Sequence, residues 1–249
     1  MMLWVFLVAV GFANPVLLSE GRGRAVAPGA ERPALVVRFQ MTFAMTDGDT
    51  PTTAEAPAGI ELVLAPTVDG CFEIRSALAI HPGASIADLA LQTGLFQQSI
   101  GSTLCEDPAE WTGLQDIDPS VRDTLQMLRE LLHPSLFPHL PEDRLRVGRM
   151  WRVSTVIEEP GQILQREAHW AVVGRKRQDH HITFRQRGAN QDDAAVTYTE
   201  DLHGGLIWPS SAAYPTRAEL TLTARAERTD EDAPLRFTTE ASLLLLPRP

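Results

Sequence analysis

The chain has 249 residues, a formal net charge of −10, and 44% hydrophobic against 22% charged residues. This composition supplies a hydrophobic core and excludes a globally disordered chain. The negative charge argues against nucleic acid as a partner, because phosphate binding requires a basic patch, and it argues weakly against docking on an anionic membrane.

An apolar run at residues 3–13 opens the sequence. The run is too short to cross a bilayer comfortably and is typical of an export signal, with Gly11, Phe12 and Ala13 as a small-x-small cleavage site. Because no Lys or Arg precedes it, an N-terminal anchor or a misassigned start codon is the alternative. No cysteine precedes Cys71, so a lipid-modified N-terminus is not expected.

We therefore divide the chain into three parts. Residues 1–18 are predicted to be the export signal, residues 19–34 a flexible linker rich in Gly, Ala, Arg and Pro, and residues 35–249 a single β-rich domain. The protein is accordingly predicted to be exported, to the periplasm or the extracellular space. No later segment is long enough to give the mature chain a stable transmembrane span.

Alternating apolar residues predict the first three strands, at residues 38–46, 60–64 and 72–80. In the first of these strands four side chains share one face: Phe39, Met41, Phe43 and Met45.

Residues 84–100 fit two structures. Thr93 and Gly94 favour a hairpin in which residues 86–92 pair with residues 95–100. Ser85 is instead suited to cap a helix. We favour the hairpin.

The clearest helix is predicted at residues 119–132. Asp118 is suited to cap it and Pro119 to occupy its first position, and Pro134 is expected to end it. An apolar stripe at helical spacing includes Leu125 and Leu128. The opposite, polar face carries Arg122, Asp123, Gln126, Arg129 and Glu130.

The C-terminal half reads as a series of hairpins. Alternation begins at Trp151 and turns back at residues 158–161, and the best hairpin joins residues 220–226 to residues 235–243. Strands at this spacing, with one helix, predict a mainly β fold. We expect a curved antiparallel sheet or a partly open barrel, with one amphipathic helix packed on its concave side.

A Leu-Pro step at Leu140 and Pro141, followed by Val147, Gly148 and then Trp151 at a strand start, resembles a family of uncharacterised exported bacterial β-rich proteins. The similarity extends to residues 201–205 and covers about residues 38–247. It implies the fold and the compartment and no particular activity.

Few residues suggest chemistry. Cys71 and Cys105 are predicted to form a disulfide in an exported chain, with two free buried thiols as the alternative. No His-Glu-x-x-His motif, Gly-x-Ser-x-Gly elbow or phosphate-binding glycine loop is present. We predict no catalytic residues, no metal site and no cofactor.

An apolar groove between sheet and helix is the remaining candidate site; its lining would be Phe39, Met41, Phe43, Met45, Leu125, Leu128 and Trp151. Simple packing of helix against sheet is the alternative, and it is the one we favour, because the helix stripe needs covering. We expect a non-enzymatic envelope protein that binds an apolar small molecule or lipid, or an envelope protein, through a curved sheet. The alternatives are an assembly component that pairs through its sheet edges and an unrecognised hydrolase.

Overall fold

The computed structural model describes residues 16–17, 32–47, 50–54, 58–106, 113, 117–138, 140, 145–159, 162–190, 196–228 and 235–248. The strands are β1 (Val16–Leu17), β2 (Leu35–Asp47), β3 (Thr50–Ala54), β4 (Ala58–Pro66), β5 (Phe72–Ala79), β6 (Thr103–Leu104), β7 (Met150–Glu159), β8 (Gln162–Lys176), β9 (Asp179–Asn190), β10 (Val196–Pro209), β11 (Arg217–Arg228) and β12 (Leu235–Pro247). The helices are α1 (Ile86–Phe96), which a 3-10 turn at Gln97–Ser99 follows, and α2 (Pro119–Leu136).

All the strands belong to one antiparallel sheet, in the order β1-β7-β8-β9-β10-β11-β12-β2-β4-β5-β6, and β3 pairs with β2 outside this path. Hairpins join β7 through β12 in sequence, and the N-terminal strand β2 pairs with the C-terminal strand β12. The two ends of the order do not meet, so the sheet is open. The predicted mainly β fold is confirmed.

One face of the sheet carries the hydrophobic core. Cross-strand neighbours such as Phe39 and Leu243 on β2 and β12, or Leu202 and Leu222 on β10 and β11, are buried there. The apolar stripe of α2 belongs to the same core: Val121, Leu125, Leu128, Leu131, Leu132 and Leu136. The predicted packing of an amphipathic helix on the sheet is thus confirmed. We call this side the inner face, and the side that carries the alternate residues the outer face.

Helix α2 is longer than predicted, because Pro134 does not end it. Proline removes one backbone donor, but the last turn is held by other groups. The Ser135 hydroxyl donates to the carbonyl of Leu131 at 2.8 Å, the Phe137 N–H donates to the carbonyl of His133, and Leu136 is buried. Burial of the last turn outweighs the missing bond.

The hairpin predicted within residues 84–100 is wrong, since residues 86–96 form α1. Ser85 caps the helix by accepting a bond from the Asp88 N–H. Thr93, which we had assigned to a turn, lies inside the helix, and its hydroxyl accepts the Ala79 N–H of the neighbouring strand β5. Gly94 is exposed and tolerated in the helix. The fold therefore has a second helix.

Cys71 and Cys105 form the predicted disulfide, with their sulfur atoms 2.13 Å apart. Among the described helices, none has the length and apolarity needed to cross a membrane. Two residues of the predicted export signal, Val16 and Leu17, pair with Val156 and Thr155 of β7. The apolar run at residues 3–13 and most of the predicted linker lie outside the described residues.

Candidate functional site

The residues predicted to line an apolar groove all lie on the inner face or in the core beneath α2. Phe39, Leu125 and Leu128 are fully buried members of the core, and Met41 and Trp151 pack half-buried against it. Further along β2, Phe43 and Met45 are half-buried, and the Phe43 ring lies 5.8 Å from that of Phe237. Their role in holding a ligand stays a prediction.

The inner face also holds a charged cluster that spacing did not predict. Arg166 of β8 donates to both carboxylate oxygens of Glu200 on β10, at 2.6 and 2.8 Å, and to Glu130 of α2 at 3.1 Å. Gln186 and Tyr198 also donate to Glu200, at 3.0 and 3.1 Å. The side chain of Glu200 is only 1% exposed. We call these five residues the inner ion cluster; it ties α2 to the sheet.

Burial dominates the electrostatics of the cluster. It raises the pKa of Glu130, as does the charge of Glu200, while Arg166 opposes the shift. Burial also raises the pKa of Tyr198 well above its usual value. For Arg166 burial acts to lower the pKa, but Glu130 and Glu200 together raise it, so the guanidinium stays charged. The cluster is a buried ion network with one cation for two carboxyl groups.

Gly188 makes room for this network. It lies between Arg166 and Glu200 in the register of β8, β9 and β10. A Cβ atom at this position would lie 2.7 Å from Cγ of Glu200, closer than real Cβ atoms approach. The glycine is thus required by the side chain of Glu200 on the adjacent strand and not by a turn.

The outer face carries an open depression with a volume of about 1380 Å³. It runs over β7 to β11. Most of its lining residues point outward by strand alternation: Ser154, Val156, Gln165, Glu167, Arg187, Ala189, Thr199, Asp201, His203, Thr223 and Arg225. We call this the outer depression. Its lining is mainly polar and charged, unlike the apolar inner face.

A ladder of ion pairs crosses the outer depression and its rim. Arg185 binds Asp201 through two contacts, at 2.5 and 3.1 Å, and Arg187 and His203 each lie 3.8 Å from the same carboxylate. A second carboxylate, Glu167 of β8, is shared in the same way: it contacts Arg152 at 3.4 Å and His169 at 2.5 Å.

The ladder and Arg225 bring four arginines to the depression and its rim, Arg152, Arg185, Arg187 and Arg225, against the two carboxylates of Glu167 and Asp201. Arg225 is exposed on β11 between Thr199 and Thr238 of the adjacent strands, so no carboxylate lies directly opposite it. The hydrogen bond from Arg185 lowers the pKa of Asp201. Asp201 is thus a fully ionised group that orients arginines and is a poor proton acceptor.

A smaller outer depression of about 550 Å³ adjoins the first, with His203 common to both. Its floor is formed by Gly204 and Gly205, where the backbone is uncovered, and Val173, His181 and Arg217 lie around it. The outer face is therefore recessed along much of β8 to β11.

Within the described ranges, no group of three or more His, Cys, Asp and Glu side chains could hold a metal ion. The groups of the outer depression are arranged to bind charge and to donate hydrogen bonds.

Sequence reasoning missed both charged features, although signals for them exist. Helical spacing assigned Glu130 to the polar face of α2, and only the position of Arg166 on β8 makes it a buried partner. Strand alternation places Glu167, Asp201 and Arg225 on the face opposite the apolar residues of their strands. It does not show which residues of the adjacent strands become their neighbours.

The sequence matches no protein-family model, and no curated protein is significantly similar to it. The resemblance to exported β-rich proteins stays a prediction, and the fold and the two faces of the sheet carry the functional argument.

Proposed function

We propose that this protein is an exported, non-enzymatic envelope protein that binds a polar, acidic partner on the outer face of its sheet. One observation carries the proposal: the outer depression is open and lined with arginine, carboxylate and hydroxyl groups, and its rim adds Arg152 and Arg185, whereas the inner face is filled by α2 and core side chains. A polar partner is favoured over an apolar ligand, since the exposed recess offers charges and hydrogen-bond donors.

Two features are compatible with an exported location and support this part of the proposal. The disulfide between Cys71 and Cys105 suits an oxidising compartment. The apolar run at residues 3–13 is typical of an export signal. The lowered pKa of Asp201 makes this carboxylate unsuited to act as a general base, since a general base needs a pKa nearer neutrality.

A fluorescence-anisotropy titration with a labelled oligo-glutamate peptide tests the proposal. We expect the protein to bind the peptide, with an affinity that falls as salt rises. Arg187→Glu combined with Arg225→Glu should weaken binding by at least about tenfold, because both cations become repulsive.

The matched control is Lys176→Glu combined with Arg177→Glu, which changes the net charge equally at the exposed β8–β9 turn. This variant should bind the peptide nearly as well as the unaltered protein. Equal losses in the two variants, or no binding by the unaltered protein, would contradict the proposal.

Strand addition is a second candidate, favoured by the edge of β7. Beyond Val156 and Thr155, which pair with β1, the described chain provides no further strand partner on that side of β7. A partner strand could extend the sheet there. Thr155→Pro would block such pairing, and unchanged recovery of a partner with this variant would exclude the candidate.

A further inference from the structure

The corner where β7 begins and β8 ends combines exposed apolar side chains with basic ones. Val147, Met150 and Val173 are 58%, 74% and 58% exposed. Five exposed cations lie in the same two segments: Arg146, Arg149, Arg175, Lys176 and Arg177. We call these eight residues the basic corner.

Backbone bonds hold the two segments together. The Gly148 N–H donates to the Val172 carbonyl at 2.8 Å, and the Val172 N–H donates to the Arg149 carbonyl at 2.9 Å. The Arg149 N–H closes a turn on the Arg146 carbonyl, and Gly148 has φ of 84°. This positive φ is characteristic of the third residue of a type II turn, so Val147 is held at the tip.

The β8–β9 turn is also built around an exposed cation. Arg177 has φ of 56° and is the one described non-glycine residue with a positive φ. Glycine or asparagine is preferred at such a position in a tight hairpin. Arg177 therefore places its cationic side chain at the tip of the turn in a backbone conformation that arginine does not favour.

The charge of the corner contrasts with that of the whole chain, which is −10. Asp179 is the carboxylate nearest in the register, opposite Lys176. Cations outnumber carboxylates here even when Glu142, Asp143 and Arg144, which lie outside the described residues, are counted.

We infer that the basic corner is a docking surface for an anionic lipid bilayer. Its cations attract anionic headgroups, and its exposed Val and Met side chains enter the interface, a combination that purely charged surfaces lack. The corner is distinct from the outer depression, so a membrane-docked protein keeps its binding face accessible.

Sedimentation with vesicles of phosphatidylcholine, with or without phosphatidylglycerol, tests the inference. The protein should bind only the vesicles that contain phosphatidylglycerol. Lys176→Glu with Arg177→Glu should lower the affinity about 30-fold or more, at roughly fivefold for each cation lost. Arg187→Glu with Arg225→Glu, the same charge change on the outer depression, should leave vesicle binding unchanged. Equal binding to neutral vesicles, or equal losses in both variants, would overturn the inference.

Two further variants separate a lipid surface from any soluble polyanion. Val147→Ser with Met150→Ser should weaken vesicle binding several-fold without changing the net charge. Arg177→Gly should raise the unfolding midpoint, because glycine accepts the positive φ, and should still weaken vesicle binding about fivefold. If the serine variant bound vesicles as well as the unaltered protein, the corner would be a general anion site and the lipid assignment would be wrong.

Discussion

The two faces of the sheet carry charge in opposite ways. On the inner face, Arg166 is shared by Glu130 and Glu200 beneath α2 and is only 11% exposed. On the outer face, Arg185 and Arg187 share Asp201 in an open recess, and their side chains are 53% and 68% exposed. The residue types are the same and the environments are opposite. A buried ion network fixes structure, because its groups cannot be rehydrated, whereas an exposed one remains available to a partner.

Replacing an arginine on each face gives the largest expected contrast. Arg166→Ala leaves two buried carboxyl groups without their cation and should lower the free energy of unfolding by about 3–5 kcal/mol. Arg185→Ala, on the adjacent strand but on the outer face, should change it little, since water replaces the lost partner. Urea denaturation of both variants measures the difference. Similar losses in the two would show that the faces do not differ in this way.

The core beneath α2 should also be costly to disturb. Leu128→Ala removes a side chain that is 1% exposed and should lower the free energy of unfolding by about 2–5 kcal/mol. Leu91→Ala on α1, where the side chain is 68% exposed, is the control and should change it by no more than about 0.5 kcal/mol. If Leu128→Ala left the free energy of unfolding unchanged, α2 would not be anchored to the sheet.

Glycines on the two faces sharpen the comparison further. Gly188→Ala places a methyl group against Glu200 and should cost about 1–3 kcal/mol of stability. At Gly205 the nearest atom to an added Cβ is the Ile182 carbonyl oxygen at 3.6 Å, which is ordinary contact. Gly205→Ala should therefore change stability by less than about 0.5 kcal/mol. Thermal unfolding midpoints of the two variants, measured side by side, give the comparison. If Gly188→Ala left the midpoint unchanged, the close approach of Glu200 to this position would be contradicted.

The pH dependence of stability gives the smallest effect. The pKa of Glu130 is raised in the folded state, chiefly by burial, so protonation favours folding. This contribution is present at low pH and is lost as pH rises through the raised pKa. Glu130→Gln should remove it and flatten the stability profile between acid and neutral pH. An unchanged profile in denaturation series across this range would contradict the shift.

Much of the fold follows from local sequence pattern, and the errors have local causes. Strand alternation at Phe39 and Met41 and the stripe through Leu125 and Leu128 were sufficient to predict the sheet and α2. At residues 86–96 the Thr93-Gly94 pair is typical of a turn and led to the wrong prediction of a hairpin. In the structure the Thr93 hydroxyl accepts a hydrogen bond from the Ala79 N–H of the neighbouring strand β5, and this contact favours the helix. Pattern within a segment cannot supply that information.

The candidate sites were harder to predict, because each depends on which strands become neighbours. Arg166 and Glu200 are separated by 34 positions in sequence and meet only through the register of β8, β9 and β10. The disulfide was predictable from the cysteine count alone. The outer depression could not be predicted without knowing that five strands place their polar residues on one recessed surface.

The unfolding free energy of Arg187→Glu combined with Arg225→Glu, measured with and without saturating oligo-glutamate peptide, tests the division between the two faces. Without peptide the variant should be as stable as the unaltered protein. With peptide at about 100 times the dissociation constant of the unaltered protein, the unaltered protein should gain about 2.7 kcal/mol and the variant, which binds at least about tenfold more weakly, no more than about 1.4 kcal/mol. A variant that is itself unstable, or that is stabilised as much as the unaltered protein, would contradict the assignment of binding to the outer face.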